Sequence, residues 1–132
     1  MASVFAGLER PGSEWPIIRG WLQKACDRVS DPPEILATHE VLFVARRFEG
    51  CPPKAVPVGA ATVRLDATKV AEIMIGGGTM AGAKPILNAV RHWARFQRAT
   101  AIVSGGRPGW ARAVGMPVDH ESEDFTHFRL EL

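Results

Sequence analysis

The chain has 132 residues, a common length for one compact domain. Hydrophobic residues make up 46% and charged residues 23%, a composition that is typical of soluble globular proteins and excludes disordered and fibrous classes. The formal net charge of +2 indicates no particular partner, and the absence of tyrosine beside four tryptophans removes every phenolic acid or nucleophile from the conceivable mechanisms.

The sequence shows no targeting or membrane segment. The first twelve residues have no basic region ahead of an apolar core, so no secretion signal is predicted. The longest apolar runs, such as 41–45, are far shorter than the ~20 residues that a membrane-spanning helix needs. Cys26 and Cys51 are 25 residues apart without a CxxC motif, which favours reduced thiols over a disulfide framework.

The N-terminal third predicts a short strand at 3–8 and two helices. Ser13 is a preferred N-cap residue, and Glu14 favours the positive end of a helix. The apolar residues of the first helix recur at helical spacing: Ile18, Trp21, Leu22, Ala25 and Val29. This helix is expected to stop at 31–33, because a residue that precedes proline avoids helical angles. A second, short helix is predicted over 33–39.

Three strands are predicted next, over 41–46, 56–65 and 69–75. The first two are rich in β-branched and aromatic residues, the third alternates less cleanly, and the joins at 49–54 and 66–68 carry turn residues. Because short joins connect antiparallel neighbours, these strands predict an antiparallel meander.

The glycine-rich segment Gly76–Ala83 is predicted to be a flexible loop that runs into a helix, with Pro85 at its first position and its end near Arg98. Backbone N–H groups at a helix start point toward an anion, and glycine allows close approach, so the segment can cradle phosphate. No lysine–serine or lysine–threonine pair follows, which excludes a nucleotide P-loop. The alternative is a connection that needs glycine only for its backbone angles.

The rest of the chain is predicted to form short elements: a buried strand at 100–104, a turn at 105–109, a brief helix at 110–114 ended by Gly115, and two closing strands at 116–120 and 125–132. Together the elements predict one α/β or α+β domain over residues 1–132, with a mixed, mostly antiparallel sheet flanked by helices.

Charge is segregated along the chain. No acidic residue lies between Glu72 and Asp119, whereas six basic residues do: Lys84, Arg91, Arg95, Arg98, Arg107 and Arg112. The first four fall on one helix face because of their spacing. Such a stripe can meet nucleic acid or an acidic protein surface. The competing interpretation is a solvated face that is partly paired with the acidic C-terminal segment.

The remaining histidine, cysteine and serine patterns give little support for a metal site or a hydrolase active site. None of the histidines has helical spacing to another or neighbours a cysteine, so no metal site is predicted. No serine or cysteine lies in a GxSxG-type turn, so a hydrolase triad has no support. Trp110 follows a glycine turn, and aromatic residues are common at binding hot spots. The candidate interaction residues are therefore Arg91, Arg95, Arg98, Arg107 and Trp110.

Three segments carry a resemblance to a known family: 72–78 (EIMIGGG), the helix 85–98, and 106–112 (GRPGWAR) followed by Gly115. With the element order, they resemble the GNAT acetyltransferase superfamily, and the C-terminal half resembles a compact type encoded by bacteriophages. In that type a similar R-x-G-W with a following glycine precedes the last strands. The resemblance covers residues 40–132, and the first 40 only by pattern.

GNAT enzymes move an acetyl group from acetyl-CoA to an amine, with the pantetheine arm in a gap between strands four and five. The resemblance implies that Glu72 is the general base of an active protein. It implies these cofactor-binding residues: Gly76, Gly77, Gly78, Gly82 and Lys84. In the family's Q/R-x-x-G-x-G/A loop, Thr79 replaces the expected Gln or Arg and Lys84 the final small residue. Ala111 stands where the family often has a tyrosine that protonates the leaving thiolate.

These departures predict a fold that is kept and a chemistry that is lost, since fold alone does not imply function. We expect a bacteriophage GNAT-like protein that serves as a virion-associated or protein-binding module in the virion or the host cytoplasm, without a cofactor. Its partners would be other phage structural proteins or copies of itself, and not a membrane. The alternative is an active N-acyltransferase that uses acetyl-CoA. A third hypothesis is nucleic-acid binding through the basic helix.

Overall fold

The computed structural model describes residues 3–28, 33–106, 114–121 and 126–132. Within these ranges the elements follow in the order β1 (Val4–Glu9), α1 (Trp15–Cys26), β2 (Val41–Glu49), β3 (Lys54–Leu65), β4 (Val70–Gly78), a 3₁₀ turn (Met80–Gly82), α2 (Ala83–Phe96), β5 (Ala101–Gly106), β6 (Val118–Glu121) and β7 (Thr126–Glu131).

The described strands form one sheet in the order β1-β2-β3-β4-β5-β7-β6. Neighbouring strands are antiparallel except for β4 and β5, which are parallel and connected through α2. A parallel pair cannot be closed by a tight turn, so the chain crosses over through the helix. The fold confirms the predicted mixed sheet, the meander of β2 to β4, the N-terminal strand and the closing pair of strands.

The core lies in two layers, one on each face of the sheet. Along β2, Leu42 and Val44 pack with α1, while Phe43 and Ala45 pack with α2, because successive side chains of a strand point to opposite faces. Phe43 is 1% exposed and meets Trp93 of α2 edge to face, with ring centroids 5.8 Å apart. Each such buried apolar side chain contributes about 1.5–3 kcal/mol, so packing holds both helices on the sheet.

Helix α1 has a different start and end from those predicted. Ser13 is not its cap, since Glu14 holds the N-cap position without a side-chain capping bond. The Glu14 carboxylate instead pairs with Arg46 Nη1 at 2.8 Å, which joins the helix start to β2. The helix ends at Cys26, and Asp27 and Arg28 form a turn where the helix was predicted to continue. The rest of the predicted continuation, including Val29, lies outside the described part of the chain.

The short helix predicted over 33–39 is wrong, because residues 33–40 form turns. The Glu40 carboxylate accepts a hydrogen bond from the Ala37 N–H at 2.6 Å, and the Glu40 N–H donates to the Ala37 carbonyl at 2.9 Å. Leu36 has a φ of 54°, which a helix does not allow. The local side-chain bond competes successfully with helix formation.

The flexible loop predicted over 76–83 is also wrong. The three glycines at its start extend β4 and pair with β3, opposite Ala61, Ala60 and Gly59. Helix α2 begins at Ala83 and ends at Phe96, so Pro85 is its third residue and not its first. Arg98, with a φ of 62°, lies beyond the helix end.

The C-terminal part agrees with the predicted strands and is described only in pieces. Strand β5 runs to Gly106, so the first two residues of the predicted glycine turn belong to a strand. The rest of that turn, the motif residues Arg107 and Trp110, and residues 111–113 of the predicted helix lie outside the described residues.

The cysteines agree with the expectation of reduced thiols. Cys26 and Cys51 are both free, the first buried and the second exposed. Burial, with a smaller effect from Asp27, raises the pKa of the Cys26 thiol, so this side chain packs as a small apolar residue. Among the described residues, no helix is long and apolar enough to cross a membrane.

Candidate active-site cleft

A gap opens between β4 and β5. Their ladder runs from Val70 opposite Ala101 to Ile73 opposite Ser104, and then ends. Strand β4 nevertheless continues to Gly78. From Met74 to Gly78, the edge of β4 that faces β5 therefore has no strand partner in the described part of the chain. An unpaired strand edge presents backbone N–H and C=O groups that another molecule can bind.

A β-bulge at Met74 accounts for the divergence. Thr62 and Val63 are adjacent in β3, yet they pair with Ile75 and Ile73 of β4, which leaves Met74 as an extra residue. A bulge bends its strand and increases its twist. Ile73 packs in the core beside α2, whereas Ile75 packs in the core beside α1, although residues two apart normally share a face.

The glycines of β4 allow close packing. A Cβ at Gly77 would lie 2.7 Å from the backbone oxygen of Trp21, so only glycine lets α1 approach this strand. Gly78 has a φ of 97°, and a Cβ there would lie 2.6 Å from the Cα of Gly59. By contrast, a Cβ at Gly76 would meet nothing closer than 3.9 Å. Gly77 and Gly78 thus have packing and backbone reasons to be glycine, and their cofactor role stays a prediction.

A cavity of about 190 Å³ lies at the unpaired end of β4. Its walls include the main chain of 76–78, Trp21 and Ala25 of α1, and Ala83 and Ile86 of α2. Because the two helices pack on opposite faces of the sheet, the cavity reaches both faces past the edge of β4. Its lining is apolar and small, and among the described lining residues Arg28 is the only one with a charged side chain.

A larger open groove of about 630 Å³ lies on the other side of Trp21. It runs between α1 and the ends of β2 and β3, with side chains of mixed charge at its rim: Glu14, Lys24, Arg47 and Glu49. It shares Gly78 and Thr79 with the smaller cavity, but no α2 residue is in its described lining, so it lies on the α1 side of the sheet. The smaller cavity is therefore the better candidate for chemistry.

The start of α2 borders the cavity through Thr79, Met80 and Ala83. The first N–H groups of a helix have no partner within the helix, and the helix dipole is positive there. No acidic residue lies in the first turn of α2, and the side chain of Lys84 is exposed. The Gly82 N–H already donates to the Thr79 carbonyl at 3.1 Å, the Ala83 N–H donates to the Met80 carbonyl, and Pro85 has no N–H. This helix start therefore offers fewer free N–H groups than a regular one, and anion binding here stays a prediction. The Thr79 hydroxyl is already used, since it donates to the Val58 carbonyl at 3.1 Å.

Glu72 lies on the face of the sheet that carries α1. Its neighbours Ala71 and Ile73 both point into the core on the α2 side, so Glu72 points the other way. Its Oε1 accepts a hydrogen bond from Arg64 Nη2 at 2.9 Å, and both side chains are a little over one-third exposed. Glu72 does not line the cavity, so a direct role would need a water or a substrate that extends along β4.

Three of the four residues of the predicted basic stripe, Lys84, Arg91 and Arg95, lie on α2, and Arg98 lies beyond its end. Lys84, Arg95 and Arg98 are exposed, and Arg91 is half-buried with a buried Nε that has no hydrogen-bond partner. None of these four side chains forms an ion pair within the described ranges. The expected pairing with the acidic C-terminal segment is absent there, because Asp119 pairs with His120 and Glu131 with Arg129. Arg107 and Trp110 lie outside the described residues.

A histidine pair escaped the sequence analysis. The rings of His120 and His127 stack with centroids 4.3 Å apart and an interplanar angle of 10°. They meet across the β6–β7 hairpin, where the two residues face each other in register. The sequence was searched for histidines at helical spacing, whereas these two lie on neighbouring strands. Pairing the two predicted closing strands as a hairpin would have brought them together. In the described ranges, no three His, Cys, Asp or Glu side chains gather as a metal site.

Solved structures share this arrangement of strands and helices. A domain from Methanocaldococcus jannaschii superposes with a TM-score of 0.72 at 12% identity, covering 100% of both chains. The chain has the GNAT acetyltransferase fold. A Bacillus subtilis acetyltransferase in complex with CoA has a TM-score of 0.69 at 13% identity, covering 98% of this chain and 99% of its own. A GNAT family acetyltransferase from Elizabethkingia anophelis with acetyl-CoA bound has a TM-score of 0.67 at 15% identity, with the same coverage.

These superpositions show the GNAT fold, and identities this low show nothing of the activity. No protein-family model matches the sequence, and no curated protein matches it. In this chain the bulge at Met74, the gap beyond Ile73 and the helix start after β4 lie together at the candidate site.

Proposed function

We propose that this chain binds acetyl-CoA in the gap between β4 and β5 and transfers the acetyl group to an amine. One observation carries the proposal: the β4–β5 ladder ends at Ile73 and Ser104, which leaves an unpaired strand edge beside a helix start. The CoA and acetyl-CoA in two proteins of the same fold support it.

The described residues fit the narrow arm of such a molecule. The amide groups of a pantetheine arm can pair with the free edge of β4 over 74–78, as an added strand does. A cavity of about 190 Å³ is below the roughly 300–1,000 Å³ of pockets that enclose a ligand, so the nucleotide would remain outside. The pyrophosphate would lie at the start of α2, where the helix dipole and the exposed Lys84 side chain favour an anion.

Acetyl-CoA supplies an activated acetyl group when it is bound. The chain's part is to hold that group at the β4 edge, where a backbone N–H can stabilise negative charge on the carbonyl oxygen. The amine nitrogen forms the new C–N bond as the C–S bond breaks, the amine loses a proton and the thiolate gains one. With no tyrosine in the chain, water can supply the second proton, since general acid catalysis typically contributes 10²–10⁴-fold and is not indispensable.

Calorimetric titration with acetyl-CoA tests the proposal. We expect saturable binding by the wild type and its loss in Gly76→Val, because the added side chain enters the cavity lining while a β-branched residue suits a strand. Gly7→Val is the matched control. Gly7 lies in β1 and lines neither the cavity nor the groove, and a Cβ added there would meet no atom within 4 Å. No heat of binding at millimolar acetyl-CoA would refute the proposal.

The second candidate function is a non-enzymatic, virion-associated or protein-binding module of a bacteriophage. The missing tyrosine favours it, as does an exposed aromatic pair at one edge of the sheet. Phe5 and Phe48 are 44% and 54% exposed, with ring centroids 5.3 Å apart. Aromatic residues are enriched at protein–protein interfaces relative to the rest of the surface. Co-purification with phage structural proteins or self-association, together with no acetyl-CoA binding, would favour this function.

A further inference from the structure

We infer that Arg28 selects an acceptor amine that also carries a carboxylate. This inference rests on the proposed function and names the substrate class of the same site. Arg28 has the only charged side chain in the described lining of the cavity, which otherwise consists mainly of glycine, alanine and other apolar residues. Arg28 is exposed and lies at the mouth of this cavity, where its guanidinium attracts an anion and repels a cation.

The position of Arg28 follows from the helix. Trp21, Ala25 and Arg28 are four and three residues apart and fall on one side of α1 and the turn after it, and all three line the cavity. The neighbouring face of the helix is buried against the sheet through Ile18, Leu22 and Cys26. Packing of that face thus directs Arg28 toward the gap.

The guanidinium of Arg28 is available for a ligand. In the described part of the chain it forms no ion pair, and the adjacent carboxylate of Asp27 accepts a hydrogen bond from Gln23 Nε2 at 3.0 Å. A guanidinium binds a carboxylate through two parallel N–H···O bonds, a geometry that a lysine cannot reproduce.

The anion could be a carboxylate of the acceptor or a phosphate of CoA. The position of Arg28 on the α1 side of the sheet favours the acceptor. The helix start proposed for the pyrophosphate belongs to α2, on one face. Arg28 follows α1, on the other face, where Glu72 also points. An acceptor that enters from the α1 side would place its amine toward the β4 edge and its carboxylate toward Arg28.

Acetyl transfer to leucine and to leucinamide, in wild type and Arg28→Gln, tests the inference. The comparison uses the ratio of the two kcat/KM values, so the different basicities of the two amines cancel between the proteins. We expect this ratio to fall about tenfold to a hundredfold in the variant, the range for loss of a hydrogen bond between charged groups. Arg28→Lys should recover part of the lost ratio. Arg19→Gln should leave the ratio unchanged, because Arg19 is exposed on α1 and lines neither the cavity nor the groove.

Each alternative has its own result. A weaker affinity for acetyl-CoA in Arg28→Gln, with an unchanged ratio, would make Arg28 a phosphate ligand and overturn the inference. An unchanged ratio with unchanged affinity would make it a solvated side chain, with the same consequence. If the wild type bound no acetyl-CoA, the proposed function would fail first and the inference with it, whereas transfer without any carboxylate preference would remove the inference alone.

Discussion

Replacing Gly77 by alanine tests whether the glycines of β4 are needed for packing. The added Cβ would lie 2.7 Å from the Trp21 oxygen and 2.8 Å from the Trp21 carbonyl carbon, and real Cβ atoms essentially never come below 3.0 Å. Both contacts are backbone, so helix α1 must move away from the sheet by roughly half an ångström or more. That shift loosens the packing of Leu22, which is fully buried.

Overpacking of this kind costs about 1–3 kcal/mol, which lowers the Tm by roughly 3–12 °C in a chain of this size. Gly76→Ala, one residue earlier, is the matched control, because its Cβ would be in ordinary contact at 3.9 Å. We expect that control to be neutral or stabilising, since alanine loses less backbone freedom on folding. Urea unfolding at a fixed pH measures both. Equal stability of the two variants would show that α1 does not press on Gly77.

Two further predictions concern polar contacts away from the cleft. Arg46 is 16% exposed and bonds Glu9 of β1 through two nitrogens at 2.7 Å, as well as Glu14 at the start of α1. Arg46→Ala should lower the free energy of unfolding in urea by about 1–3 kcal/mol, and Arg46→Lys should recover part of this loss. An unchanged free energy of unfolding in Arg46→Ala would mean that these ion pairs do not stabilise the fold. Hydrogen bonds from the Thr68 hydroxyl and the Val70 N–H lower the pKa of Asp66. The ionised carboxylate therefore stabilises the folded state at neutral pH, and this stabilisation disappears as the pH falls through the folded-state pKa. Asp66→Asn should therefore be less stable than wild type at pH 7 and equal to it near pH 2, and a difference that does not change with pH would contradict this.

Much of the sheet was predictable because its signals are local. Alternating side chains and short connections predicted β2 to β4. The alternation was least regular in β4, the strand that contains the bulge at Met74. The helix predicted over 33–39 failed because the Glu40 carboxylate bonds the backbone of its own turn, a competition that periodicity does not register.

The candidate site was less predictable because its parts meet through packing. The glycines read as a flexible loop, but the approach of Trp21 to Gly77 is visible only after α1 is laid across the sheet. Arg28 has no motif around it, and it acquires a role only through the apolar cavity beside it. The same is true of His120 and His127, which the hairpin brings together.

The short ladder between β4 and β5 has a mechanical consequence. In the described residues, only the stretch from Val70–Ala101 to Ile73–Ser104 joins the strands of the first half of the sheet to β5, β7 and β6. Both halves also pack against α2, since Ile102 of β5 and Phe128 of β7 share its buried core, so this seam is the stretch at which the two halves hydrogen-bond through their strands. The width of the gap then depends on how firmly the seam is closed. Amide exchange along the seam would therefore report the free energy of opening at this edge of the cleft.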